Sequence, residues 1–234
     1  TSLLWTLIGS LFYKFSAYPE ICLLVFNFLI ITFTIWKLVC YTDEYFNDNR
    51  LITPYSFLLL GLLEVIPGYL HCTILSLMET GLWSSLLILL ALNIFNWETK
   101  GSTQKNLYVF ILLIILLVLT RPESYLWGMI FILIRMTQLY RAKDKNLIAT
   151  IKAGLPIIGS FFGTIILLTA WRLKYFGYPF PNTYYAKVSA NFMQNLIDGF
   201  IYDLVYFLGY NMLLIVVLLF GTMVGIHMLW KKKD

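Results

Sequence analysis

The chain has 234 residues, of which 60% are apolar and 12% charged, with a formal net charge of +5 and a mean hydropathy of +0.79. A soluble domain carries about 25% charged residues, so this composition excludes a soluble globular domain and points to a chain solvated by lipid, where each spanning helix satisfies its own backbone groups. The positive charge is spread over short loops between apolar runs, which orients a membrane protein and gives no patch for nucleic acid.

Residues 1–17 are apolar and aromatic but short for a span. Trp5, Phe12, Tyr13 and Phe15 with Lys14 predict a helix lying in the membrane interface, with a short or re-entrant span as the alternative, and Tyr18-Pro19-Glu20 ends it. Residues 21–40 read as a span and 41–50 as a polar loop with Asp43, Glu44, Asp48 and Arg50. Residues 51–77 form a long apolar stretch containing Glu64 and interrupted at Pro67-Gly68, where the proline removes a backbone donor. Met78-Glu79-Thr80-Gly81 is a break. Residues 82–95 span again, and 96–106 are a loop with Lys100 and Lys105. Residues 107–120 are the most apolar run; Arg121-Pro122-Glu123-Ser124 interrupts it, 125–140 returns, and 141–146 is basic. A span over 148–170 leads into a polar, aromatic, proline-containing loop over 172–188. Residues 191–206 are amphipathic, with Asp198 and Asp203, and 208–230 is the last span, closed by Lys231-Lys232-Lys233. The expected fold is all-α: one domain over residues 1–234, a polytopic transmembrane helical bundle of about seven spans over 21–230, preceded by an interfacial helix.

With Lys231, Lys232 and Lys233 in the cytoplasm, Lys37, Arg50, Lys100, Lys105, Arg135, Arg141, Lys143, Lys145 and Lys152 fall on the same side. Of the 17 basic residues, that leaves Lys14, Arg121, Arg172, Lys174 and Lys187 outside, an asymmetry that fits the positive-inside rule. No internal repeat of the transporter kind is visible. Cys22, Cys40 and Cys72 lie in apolar runs without metal-ligand spacing, and His71 and His227 are far apart, so the sequence implies neither a disulfide framework nor zinc.

Four of these five outer charges, all but Lys14, gather in two polar segments, 120–124 and 171–187. Charge at membrane depth is costly and calls for a partner, a cavity or a ligand. For Arg121 there are three readings. One is snorkelling at a helix end, a second is a local ion pair with Glu123, and a third is capture of an anionic ligand, since the arginine fork bonds two phosphate oxygens at once. Lys187 would assist in the third. Asn182, Tyr184 and Tyr185 offer hydrogen bonds and flat rings that suit a sugar; an aromatic belt at the interface is the competing reading. Glu79, at the start of a span, favours the helix dipole or walls the same site.

Four stretches together resemble membrane glycosyltransferases of the so-called GT-C superfamily, in particular bacterial members related to the mycobacterial terminal arabinofuranosyltransferase. Thr1-Ser2-Leu3-Leu4-Trp5 resembles the end of a Gly-Tyr-Thr-Ser/Asn-x-Leu-Trp motif. Leu77-Met78-Glu79-Thr80 resembles Gly-Leu-Glu-Thr, with two substitutions. Leu119-Thr120-Arg121-Pro122-Glu123 resembles Thr-Arg-Pro-Glu-Gly, with Ser124 in place of the glycine. Residues 177–187 resemble Gly-x-x-x-Pro-Asn-Thr-Tyr-Tyr-Ala-Lys, the most specific of the four.

The resemblance implies transfer of a sugar from a polyprenyl-phosphate-linked donor to a glycan or lipid acceptor on the outer face of a bacterial plasma membrane. It implies donor-phosphate binding by Arg121 and Lys187, and a sugar or acceptor pocket lined by Glu79, Glu123, Asn182, Tyr184 and Tyr185. The family's catalytic carboxylate lies in a loop expected upstream of Thr1, so no residue here is named as the base, and the chain reads as a fragment. A divalent cation stays open as a cofactor. A transporter or flippase and a non-catalytic scaffold are the alternative readings.

Overall fold

A computed structural model of the chain describes residues 2–45, 75, 77–100, 104–179 and 192–210. Among the described residues there are seven helices and no strand: α1 (Leu3–Phe15), α2 (Pro19–Tyr45), α3 (Thr80–Lys100), α4 (Gln104–Thr120), α5 (Ser124–Ala142), α6 (Leu147–Phe176) and α7 (Phe192–Tyr210). Three stretches are long and apolar enough to cross a membrane: Pro19–Thr42, Thr80–Trp97 and Leu147–Phe176. The expected spans over 107–120 and 125–140 are helices that do not reach this measure. Helix α4 has 17 residues, about 25 Å at 1.5 Å per residue. Helix α5 carries Arg135, Gln138 and Arg141 in its second half, which offset its apolar first half. The expected spans over 51–77 and 208–230 lie largely outside the described residues, as do Glu64, Cys72, His71 and the terminal lysines.

Local chemistry sets the helix ends. The Ser2 side chain caps α1 by accepting from the Trp5 N–H at 3.2 Å. Asn146 caps α6 in the same way, from Ala149 at 3.1 Å; such caps satisfy amides that have no partner inside the helix. Helix α6 runs through Trp171–Phe176, well into the loop expected from residue 172, because its stop is Gly177. That glycine has φ 74 and returns its N–H to the Leu173 carbonyl, a left-handed turn a side chain would strain. Most of the loop expected over 96–106 is helical too, since α3 continues to Lys100 with Trp97 buried.

Helix α4 is the centre of the packing: it meets α1, α3, α5 and α6. Phe110, Ile114, Leu117 and Val118 form one buried stripe along it, at the spacing a 3.6-residue repeat brings to one face. Leu82, Leu86, Leu90 and Ile94 of α3, Ile132 and Leu139 of α5, and Ile157 and Phe161 of α6 complete the core. Helix α1 lies across α2, with Trp5 and Phe12 each 6.2 Å from the Phe26 ring. The Tyr13 hydroxyl donates to Glu20 Oε1 at 2.8 Å, and the carboxylate holds the phenol above its ordinary pKa.

The outside of the bundle is apolar. Ile21, Val25, Phe28, Leu29 and Trp36 of α2 and Ile151, Leu155, Phe162, Ile166 and Leu167 of α6 are exposed. Only 22% of the apolar stretch of α2 and of α6 is buried, against 50% for α3, so these two helices present long apolar faces outward. Hydroxyls on them are turned inward: Thr34, Ser160 and Thr164 donate to the carbonyls of Ile30, Pro156 and Ser160 at 2.7, 2.6 and 2.7 Å. This hides the hydroxyl against the helix backbone.

Helices α5 and α6 approach through glycines. A Cβ placed on Gly128 would stand 2.5 Å from the Phe161 ring, and one on Gly154 would collide with Met136 Sδ. Gly128→Ala should therefore lower stability by about 1–3 kcal/mol, the usual cost of overpacking. Adding Phe161→Leu should recover part of the loss. Thermal unfolding of the detergent-solubilised single and double variants checks this; equal melting of Gly128→Ala and wild type would refute the contact.

Candidate anion-binding site

Glu79 and Arg121, 42 residues apart, meet at one end of the bundle. The segment before Glu79 is held from two sides: Trp5 Nε1 donates to the Leu77 carbonyl at 3.1 Å and Asn27 Nδ2 to the Met78 carbonyl at 3.3 Å. Glu79 then starts α3 by accepting the Trp83 N–H on its own carbonyl at 2.8 Å. Its carboxylate stands at the positive end of that helix.

Arg121 directly follows the last residue of α4. The chain turns there through Pro122, with the Ser124 N–H returning to the Arg121 carbonyl at 3.1 Å and the Tyr125 N–H to the Pro122 carbonyl at 3.1 Å. The guanidinium donates Nε–H to Glu79 Oε1 at 2.9 Å and lies 5.6 Å from the Trp83 ring centroid. Trp83 is itself fixed, because its Nε1 donates to Ser124 Oγ at 2.9 Å. Ser124 Oγ lies 3.4 Å from Thr120 Oγ1, which donates to the Leu117 carbonyl at 2.6 Å. Arg121 is therefore in cation–π range of Trp83, and one of its nitrogens is paired. Among the described residues its two terminal nitrogens make no hydrogen bond, and the side chain is 28% exposed against 16% for Glu79. The open edge is the part of a guanidinium that grips two oxygens of one anion.

Glu123 sits on the same turn but is exposed and makes no side-chain cap to α5; Arg121 is paired with Glu79 and not with Glu123. Arg172 Nη1 donates to the Tyr125 hydroxyl at 3.3 Å, so the last turns of α6, ending at Gly177, reach the same end of the bundle. Lys187, Asn182, Tyr184 and Tyr185 lie outside the described residues. Among the described residues no group of three His, Cys, Asp or Glu side chains is placed to hold a metal ion.

Trp83 was not among the residues the sequence picked out, although it lies one helical turn after Glu79, the spacing that puts two side chains on one face. A second cluster was missed altogether. Arg135, counted in the sequence as one more basic residue of the cytoplasmic side, is fully buried. Its guanidinium lies 4.3 and 4.5 Å from the ring centroids of Trp97 and Phe110, and donates to the carbonyl and side-chain oxygens of Asn93. Asn93 Nδ2 donates in turn to the Asn106 carbonyl at 3.2 Å, and Gln138 Nε2 to the Ile94 carbonyl at 3.0 Å. This knot ties α3, α4 and α5 together at the end away from Arg121.

Comparison with family models, with curated proteins and with solved structures finds no match for the chain.

Asn93→Leu would take from the buried Arg135 its side-chain oxygen and leave it only the longer bond to the backbone carbonyl of residue 93, and should cost about 1.5–3 kcal/mol, as for a lost hydrogen bond to a charged group. Arg135→Met removes the charge and its unmatched N–H groups together, and should cost less or stabilise. Denaturation of the two variants in detergent decides: if Arg135→Met is the more damaged, the knot is not limited by desolvation of its cation.

Proposed function

We propose that this chain is the membrane domain of a glycosyltransferase that takes a sugar from a polyprenyl-phosphate donor, and that Arg121 holds the donor phosphate. The reading includes a multi-pass protein of a bacterial plasma membrane with its active end outside the cytoplasm, and a glycan or lipid as acceptor. The apolar outer faces of α2 and α6 support residence in a bilayer, since exposed apolar area of this extent is a contact surface in soluble chains.

The observation that carries the proposal is the setting of Arg121. Glu79 takes its Nε, Trp83 lies in cation–π range, and the terminal edge is left open at an accessible end of the bundle. Three stretches that resemble the motifs of polyprenyl-phosphate-dependent transferases supply this one place: Trp5 from the first, Leu77–Thr80 from the second, and Thr120–Glu123 from the third. In the proposed reaction an acceptor hydroxyl attacks the anomeric carbon and loses its proton, the bond from that carbon to the phosphate oxygen breaks, and the polyprenyl phosphate leaves with the electron pair. Arg121 meets the charge growing on that phosphate. No residue of this chain is assigned as the proton acceptor.

Binding of a short-chain polyprenyl phosphate to the detergent-solubilised chain, followed by native mass spectrometry, tests the site. The wild type should bind the phosphate and not the corresponding alcohol, and Arg121→Ala should weaken binding at least about tenfold, in line with a lost charge-assisted bond. Glu79→Gln keeps an oxygen for Nε while removing a negative charge, so it should bind the phosphate as tightly or more tightly. In bacterial membranes carrying the protein, transfer from a labelled polyprenyl-phosphate sugar should fall about 100-fold or more with Arg121→Ala, the usual cost of one lost oxyanion donor. Unchanged binding and transfer would reject the assignment and favour a scaffold.

A further inference from the structure

We propose that the groove between α2, α3 and α4, at the end of the bundle away from Arg121, is a site for an anionic phospholipid. The inference rests on the reading of this chain as a membrane protein. The groove encloses about 360 Å³. Along each of its three walls the lining changes character in the same direction. On α2 it passes from Phe33 to Lys37, and on α3 from Leu89 to Asn96. On α4, which runs the other way, it passes from Leu113 back to Asn106. One end of the groove is thus apolar and the other carries amides and an ammonium group, the order of chemistry in an acyl chain and its headgroup.

Charge decides which lipid. The Lys37 ammonium is exposed, lies 5.0 Å from the Trp36 ring centroid and 5.6 Å from that of Phe33, and pairs with no carboxylate among the described residues. Behind the polar end stands a second cation. Asn93 lines the groove and receives the guanidinium of Arg135, whose Nε and Nη1 are buried without a hydrogen-bond partner. Among the described residues neither cation has a carboxylate partner, which makes the polar end electropositive, and the low polarity around the buried Arg135 leaves its field poorly screened. A zwitterionic headgroup brings its own cation to this place, whereas a phosphodiester with an uncharged alcohol does not. Free phosphate would satisfy the charge but make no use of the apolar half. On the topology read from the basic residues, this end faces the cytoplasm, the leaflet surface where basic side chains meet anionic lipid.

The test uses the detergent-solubilised chain, equal amounts of phosphatidylglycerol and phosphatidylcholine with the same acyl chains, and native mass spectrometry of the retained lipid. Phosphatidylglycerol should be retained about fivefold over phosphatidylcholine, the weight of one lysine against an anionic lipid. Lys37→Gln should bring the two to parity, Lys37→Arg should keep the preference, and Leu113→Trp should reduce both lipids by filling the apolar half. Lys174→Gln, remote from the groove, should change nothing. Equal retention of the two lipids by the wild type, or an undiminished preference in Lys37→Gln, overturns the site while leaving the membrane reading intact. Retention of neither lipid by a chain with unaltered helical circular dichroism overturns both.

Discussion

The burial of α4 is the constraint on which the rest of the structure depends. This helix is shorter than α2, α3 or α6, yet it touches four others and carries the most deeply buried stripe among the described residues. Thr120, at its C-terminal end, is buried and Asn106, near its N-terminal end, is half-buried. Both ends therefore bring backbone polar groups and flanking polar residues into places where each must find a partner. At the C-terminal end Thr120, Arg121 and Ser124 find Leu117, Glu79 and Trp83. At the N-terminal end the Asn106 carbonyl receives Asn93, and Phe110 backs the guanidinium of Arg135. The two polar clusters are separated by the apolar length of α4, so they sit at opposite ends as a consequence of packing.

Much of the helical order was legible in the sequence because apolar runs and their breaks are local properties. The break at Arg121-Pro122-Glu123-Ser124 is a tight turn between α4 and α5, and the polar residues at 78–81 mark the start of α3. What local pattern could not supply was the partner of Arg121. Glu123, two residues along, was the near candidate, but residues on either side of a turn diverge as the next helix starts. The turn that aims Arg121 back over Trp83 leaves Glu123 outside. Glu79 reaches the guanidinium only because α1 and α2 each donate a hydrogen bond to the segment preceding it, and no spacing rule connects residues on four separate elements.

The stop of α6 and the role of Arg135 were hidden for different reasons. Trp171, Arg172 and Lys174 look like the start of a polar loop by hydropathy, yet nothing in that run breaks a helix until Gly177, and an amphipathic last turn is ordinary where a helix leaves an apolar layer. Arg135 was counted by charge alone, as one more basic residue near a loop. The rings that receive it come from α3 and α4, so the only local sign was an arginine and a glutamine one turn apart inside an otherwise apolar helix, a pattern that favours an inward-facing polar seam.

The two arginines show how the same side chain acquires opposite roles from its surroundings. Arg135 is fully buried, in contact with two aromatic rings, and bonded only to neutral oxygens, with no carboxylate paired to it among the described residues. A cation in such a place is costly to desolvate, and what it gains is position: it determines how α3 and α5 sit against α4. Arg121 has the reverse arrangement. It keeps a carboxylate at Nε, which holds the group in place and offsets part of its charge, and it remains partly accessible at its terminal edge. Exposure alone would leave an arginine mobile, and burial alone would leave it inaccessible. Holding one nitrogen while leaving the opposite edge open gives a cation already oriented before an anion arrives, so the ordering cost of binding is largely met in the folded protein. That difference, more than the presence of charge, is why the proposed phosphate site is placed at Arg121 and a structural role at Arg135.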